Sequence, residues 1–113
     1  MVSFKVITWD FHHDCIEHYD VMPYFYRCIK EEKKSQKLKD SDITFEWLKD
    51  LIKRSSTYMY WAKCEYECIV HGWPVRKNDH KLDAHEQVMM NLDVITNLIF
   101  QDIKSNKLKW RNI

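Results

Sequence analysis

Apolar and polar residues alternate at the start of the chain and recur at helical spacing through most of the rest. The segments SFKVITW (3–9) and CIEHYDV (15–21) alternate and carry β-branched and aromatic residues, as strands do. The Asp/His-rich run DFHHD separates them. This pattern predicts an N-terminal antiparallel hairpin. Because its turn contains no glycine, the turn should be longer than two residues or place Asp or His at positive φ.

Three later segments carry apolar residues at intervals of three and four, which indicates amphipathic helices. The first, residues 20–36, has Asp20 as a candidate cap of its N-terminus and the apolar stripe Met22, Phe25, Tyr26 and Ile29. The second covers residues 44–54. The third starts at Asp83 with a capping-box-like Glu86, and its stripe is Val88, Leu92, Ile95, Ile99 and Ile103. We expect this C-terminal helix to be the longest and to close the core.

The segment AKCEYECIVH (62–71) fits two structures. As a strand, it places Cys64 and Cys68 on the core side, roughly 13 Å apart, which is too far for one zinc ion. As a helix, it places Cys64, Cys68 and His71 on one face, where they could ligate a single zinc. The residues Tyr66, Ile69 and Val70, followed by Gly72, favour the strand.

Together these elements predict an α+β fold over a single domain, residues 1–113. It consists of a small antiparallel sheet, formed by the N-terminal hairpin and a strand near 62–71, packed with about three helices. The net charge of +1 provides no overall field for nucleic acid or an anionic membrane. The single glycine, Gly72, excludes glycine-rich phosphate loops and dinucleotide-binding turns. There is no secretory h-region and no membrane-length apolar run, so we expect a cytoplasmic protein with reduced cysteines.

The residues that could ligate a metal ion are concentrated between positions 64 and 85. The candidate ligands of a structural zinc are Cys64, Cys68, His71, His80 and His85. The loop PVRKNDHKLDAH could bring His80 and His85 back towards His71, with a cysteine or carboxylate as fourth ligand. The alternative is that the cysteines are small buried hydrophobes and the histidines are solvated.

Three further groups of residues are weaker candidates for a functional site. His13 and Cys15 share a face if the hairpin extends through them, and Glu65 with Glu67 would be paired carboxylates on a strand. Near the C-terminal end, Trp110 between two cations could stack on single-stranded nucleic acid, although a frayed tail is the simpler reading.

Three stretches, FKVITWDF…IEHYDVMPYF, YWAKCEYECIVHGWP and KLDAHEQVMMNLDVI, resemble a family of small proteins from phages and prophages of Gram-positive bacteria. The likeness runs from Phe4 to about Ile103. The resemblance implies a type II-A anti-CRISPR protein, an inhibitor of Cas9. A metal-ligand set cannot be carried over wholesale from this family, since His12, His13, Cys15 and His71 look particular to this sequence.

The leading hypothesis is therefore a non-enzymatic inhibitor that binds Cas9 or another host defence nuclease and stops target DNA from engaging, without itself contacting nucleic acid. The residues expected to face a basic nuclease surface are Asp10, Asp14, Glu17 and Asp20. Reversing their charges should weaken inhibition and leave folding intact. The alternatives are a metal-dependent hydrolase or nuclease using the His71, His80 and His85 region with Glu65 or Glu67, and a phage accessory protein that binds nucleic acid through its basic C-terminus.

Overall fold

The computed structural model describes residues 1–10, 15–71 and 80–113, with the backbone alone for residues 9–10, 60–71 and 80–83. Two antiparallel strands, β1 (Lys5–Asp10) and β2 (Cys15–Asp20), form the predicted hairpin, in a register that runs from Lys5 opposite Asp20 to Asp10 opposite Cys15. Strand alternation buries Val6 and Thr8 on one face, while Ile7 and Ile16 belong to the other. The predicted turn, residues 11–14, lies outside the described residues.

Helix α1 (Met22–Gln36) follows β2 directly. All four residues of its predicted stripe, Met22, Phe25, Tyr26 and Ile29, are buried. The helix ends where Lys37 adopts a left-handed conformation, with φ 55° and ψ 44°, and the Leu38 N–H returns to the Lys33 carbonyl oxygen at 2.9 Å. These are features of a Schellman-type terminus, here without glycine at the left-handed position.

Helix α2 (Phe45–His71) has 27 residues, so the strand predicted near 62–71 is wrong. Local composition explains the error, because Ala62, Lys63 and Glu65 are good helix formers beside a few β-branched residues. Extending a helix that already exists needs no new nucleation, whereas a strand would require the helix to end first. Neither glycine nor proline occurs between Phe45 and His71 to end it; the first are Gly72 and Pro74.

The periodic C-terminal segment, predicted as one helix from Asp83, forms two: α3 (His80–Met90) and α4 (Leu92–Lys104). The break is at Asn91, where φ is −116° and ψ is 20°, and the Asn91 side chain donates to the Gln87 carbonyl oxygen at 2.8 Å. Asparagine competes in this way with the helical backbone. The longest helix is α2, with 27 residues against 13 in α4, and the expectation that the C-terminal helix is the longest is corrected.

A common core joins the helices to the hairpin. Helix α2 packs against α1, α3 and α4, while α3 also packs on β1. Buried residues from all of these elements form one cluster, which includes Val6, Phe25, Ile52, Val88 and Ile99. A two-stranded antiparallel sheet with four α-helices confirms the predicted α+β class. None of the helices in the described ranges contains a stretch both long and apolar enough to cross a bilayer.

Candidate interaction surface and metal-ligating positions

The outward face of the hairpin exposes two large apolar side chains. Ile7 is 53% exposed and Ile16 is 62% exposed. Ile7 lies opposite His18, and Ile16 lies opposite Trp9, so the two isoleucines are diagonal neighbours on the same face. The outward face of the hairpin therefore carries a small exposed apolar area.

The predicted acidic group does not form a compact patch. Asp10 and Asp20 occupy opposite ends of the hairpin, about 17 Å apart by strand rise. Glu17 is opposite Thr8 and belongs to the other face from Asp20. The Asp10 side chain and the whole of Asp14 lie outside the described residues.

Asp20 has a structural role. Its Oδ1 accepts one hydrogen bond from the Phe4 N–H and another from the Met22 N–H, each at 3.1 Å. The carboxylate therefore ties the chain before β1 to the first turn of α1. Reversing the charge of Asp20 would break this tie, so the expectation that all four acidic residues can be reversed without affecting folding is corrected for Asp20.

The helical backbone of α2 changes the geometry of the candidate metal ligands. Positions 64, 68 and 71 are spaced i, i+4 and i+7, so they share one face of the helix. Glu65 and Glu67, which a strand would have placed side by side, are two apart on a helix and belong to different faces. The side chains of these residues and of His80 lie outside the described ones.

His85, by contrast, is fully described and faces the middle of α2. Its Nδ1 is 2.8 Å from the Ser56 Oγ, and the Ser56 hydroxyl donates its one proton to the Lys53 carbonyl oxygen at 3.0 Å. His85 Nδ1 is therefore the donor to the Ser56 Oγ. Ser56 is completely buried, so this Ser–His pair is not positioned to attack a substrate.

Position 71 is fifteen residues beyond Ser56, or about 22 Å along the helix axis. Position 64 is about 12 Å beyond it. Zinc–ligand bonds are only about 2 Å long, so His85 and His71 do not share one ion in this arrangement. In the described part of the chain there is no group of three or more His, Cys, Asp or Glu side chains that could hold a metal.

A cluster that the sequence did not reveal fixes the C-terminal segment. Trp110 Nε1 donates to both carboxylate oxygens of Asp40, at 2.9 and 3.1 Å, and Lys33 forms an ion pair with the same carboxylate. Lys33 Nζ also lies 4.0 Å from the centre of the Trp110 ring. The predicted frayed tail is thus docked on α1. No local pattern could signal this contact, because its partners are 70 residues apart.

Burial keeps several titratable groups of the helical core neutral. It is the main cause that raises the pKa values of Tyr24, Tyr26 and the Cys28 thiol. Tyr24 donates to the Ser55 carbonyl oxygen at 3.0 Å, and Tyr26 donates to Asp102. A cysteine with a raised pKa holds little thiolate at neutral pH, so Cys28 is a poor nucleophile. Cys15, on the hairpin, is an exposed thiol.

Comparison of the chain with protein-family models, with curated proteins and with solved structures gave no match in any of the three.

Proposed function

We propose that this protein acts by stoichiometric contact with another macromolecule, as an inhibitor of a host defence nuclease in the bacterial cytosol. Cas9 is the target that the resemblance to phage proteins implies. The observation that carries the proposal is the exposed pair Ile7 and Ile16 on the outward face of the hairpin. We call this pair, with its neighbours Lys5 and His18 on the same face, the hairpin face.

Hydrogen bonds to α3 and α1 hold the hairpin face in place, which favours binding. Gln87 of α3 makes two hydrogen bonds to the Ile7 backbone, and Asp20 ties the base of the hairpin to α1. A surface that is already ordered loses little conformational entropy on association. Burying two isoleucines provides the apolar centre that protein interfaces typically have, and polar residues at the edge resemble an interface rim.

The acidic residues of the hairpin remain in the proposal as the charges expected to meet a basic partner surface, although they do not form one compact patch. By strand alternation Asp20 belongs to the same face as Ile7 and Ile16, at the base of the hairpin, whereas position 10 at the tip belongs to the opposite face. Negative charge at the edge of an interface mainly accelerates association with a positive surface, whereas the apolar centre slows dissociation. A nucleic-acid-binding nuclease has such positive channels, and the acidic residues would act on its rate of association.

Titration of Cas9 cleavage with purified protein tests this function. A stoichiometric inhibitor reaches full inhibition near one molecule per nuclease, whereas an enzyme acts well below that ratio. The double variant Ile7→Thr/Ile16→Thr keeps β-branched residues in the strands but removes most of the apolar surface. We expect inhibition to weaken at least tenfold, with the thermal midpoint close to that of the wild type.

Val94→Thr on α4 is the matched control, because Val94 is also 53% exposed and also β-branched. It should inhibit as strongly as the wild type. Equal loss of inhibition in the control and in the hairpin variant would refute a specific role for the hairpin face. Inhibition at a small fraction of one equivalent would refute stoichiometric action altogether.

We also propose that α2 holds a structural zinc through Cys64, Cys68 and His71. The support is that position 68 shares a helical turn with both position 64 and position 71, at spacings of four and three residues. Thiolate and imidazole are the ligands that zinc prefers, and a loop or a second chain would complete the tetrahedron. Such an ion would stabilise the C-terminal half of α2.

Elemental analysis of protein purified with zinc and reductant tests this site. We expect about one zinc per chain in the wild type, and loss of that zinc in Cys68→Ser. Cys15→Ser is the control, since Cys15 is an exposed hairpin residue at a different site, and it should retain the metal. Absence of zinc from the wild type, or full occupancy in Cys68→Ser, would remove the metal from the proposal without affecting the role of the hairpin face.

A further inference from the structure

A groove of about 280 Å³ lies between the C-terminal end of α1 and the docked C-terminal segment. It is lined by Lys30, Lys33, Lys34, Lys37, Leu38 and Trp110. Four of the six lining residues are cationic and the other two are apolar, although the chain as a whole has a net charge of only +1. Positive charge is therefore concentrated here well beyond the average of the surface.

Two of the four lysines are engaged within the protein and shape the groove. Lys33 pairs with Asp40, which also accepts the Trp110 N–H, so the indole ring is fixed. Lys30 Nζ donates to the Ile113 carbonyl oxygen at 2.9 Å. These contacts attach the C-terminal segment to α1 and hold an aromatic wall in place.

The other two lysines keep their charge available to a ligand. Within the described part of the chain, Lys34 and Lys37 make no ion pair, and both are exposed. Lys34 is in the last turn of α1 and Lys37 is the left-handed residue that follows the helix, and both line the groove. Lys109 and Arg111, on either side of Trp110, are exposed too and extend the positive surface.

We propose that this groove binds single-stranded nucleic acid, with Lys34 and Lys37 neutralising backbone phosphates and Leu38 and Trp110 forming the wall against which a base packs. Proteins that hold single strands combine a cationic groove with aromatic side chains in this manner. An acidic peptide would use the lysines but would gain nothing specific from the aromatic wall. The inference does not depend on the proposed inhibition of a nuclease, because the groove and the hairpin face use different residues, and it replaces the expectation that the protein does not contact nucleic acid.

Fluorescence anisotropy of a labelled single strand of about ten nucleotides, titrated with the protein at about 50 and about 200 mM salt, tests the groove. Lys34→Gln/Lys37→Gln is the informative variant, since neither side chain has an internal partner to lose among the described residues. Lys49→Gln/Lys53→Gln on α2 removes the same amount of charge elsewhere and is the control, since the Lys49–Asp93 ion pair that it also breaks is exposed and contributes little to stability. Polyglutamate and inorganic phosphate serve as competitors.

We expect the groove variant to bind at least tenfold more weakly than the control at the lower salt. Its logarithmic salt slope should fall by about 1.4, the change expected for two lost phosphate contacts on a single strand. Polyglutamate at equal charge should compete poorly. The proposal is overturned if the wild type does not bind, if the two double variants weaken equally, or if polyglutamate or millimolar phosphate displaces the strand completely. The last outcome would indicate a general anion site.

Discussion

The side-chain amide of Gln87 forms two hydrogen bonds to the backbone of Ile7. Gln87 Oε1 accepts from the Ile7 N–H at 2.8 Å, and Gln87 Nε2 donates to the Ile7 carbonyl oxygen at 2.9 Å. The Gln87 side chain on α3 thereby makes the pair of backbone hydrogen bonds to β1 that a neighbouring strand would make. These bonds satisfy the Ile7 N–H and carbonyl groups at the edge of a two-stranded sheet, which would have only marginal stability alone. They also attach the hairpin to the helical core.

We predict that Gln87→Ala lowers the free energy of unfolding by about 1–3 kcal/mol, because two hydrogen bonds are lost together. Gln101→Ala on α4, which removes an exposed glutamine side chain, should change it by less than about 0.5 kcal/mol. Urea denaturation measures both. Gln87→Glu should also destabilise, since a carboxylate cannot donate to the Ile7 carbonyl. Equal stability of Gln87→Ala and the wild type would contradict the role of this contact.

Asp20 provides a second prediction about the hairpin. Asp20→Ala leaves the backbone N–H groups of Phe4 and Met22 without their shared acceptor, so we expect a loss of about 1–3 kcal/mol in urea denaturation. Asp20→Asn retains one oxygen acceptor and should lose less. The control is Asp50→Ala, which removes only an exposed i,i+4 ion pair with Arg54 and should cost about 0.5 kcal/mol or less. A larger loss in the control than in Asp20→Ala would be inconsistent with the tie.

Asp40 should control whether the C-terminal segment stays docked. Asp40→Ala removes the acceptor of the Trp110 N–H and the partner of Lys33 in one step. We expect faster amide hydrogen exchange across residues 105–113, with a free energy of unfolding lower by about 1–3 kcal/mol. Asp93→Ala, which loses an exposed partner of Lys49, should leave exchange in that segment unchanged. Unchanged exchange in Asp40→Ala would show that other contacts hold the segment.

The raised pKa values predict that alkaline pH destabilises the protein. Burial favours the neutral forms of Cys28, Tyr19, Tyr24 and Tyr26, whose ordinary pKa values are 9.0 for cysteine and 10.0 for tyrosine. Above those values the unfolded chain loses protons that the folded protein retains, so stability is full below about pH 9 and declines as pH rises. Denaturation midpoints measured between about pH 7 and pH 11 should show this decline. A constant midpoint over the range would contradict it.

The two described thiols should differ in reactivity. Cys15 is exposed, whereas Cys28 is half-buried with a raised pKa, so an alkylating reagent should modify Cys15 at least tenfold faster at about pH 8. Peptide mapping by mass spectrometry assigns each rate to its residue. In urea the two rates should converge, because the difference comes from folding. Equal rates in the native protein would mean that Cys28 is accessible.

The local hydrophobic pattern predicted an element correctly where the spacing within that one segment specified its structure. The spacing of Met22, Phe25, Tyr26 and Ile29 predicted the buried face of α1, and the alternation in residues 3–9 and 15–21 predicted the hairpin. For residues 62–71 the local pattern suited both a strand and a helix. The segment is helical because it continues α2, which begins upstream at Phe45, and this continuity cannot be read from the ten residues alone.

The sequence alone therefore determined the α+β class, the hairpin and the buried stripes of α1 and α4, because hydrophobic periodicity is a property of each segment by itself. Tertiary structure decided which distant residues meet. Gln87 reaches Ile7 across 80 residues, and Trp110 reaches Asp40 across 70. These pairings depend on how the helices pack around the hairpin, and the same packing separated His85 from His71 and created the lysine-lined groove.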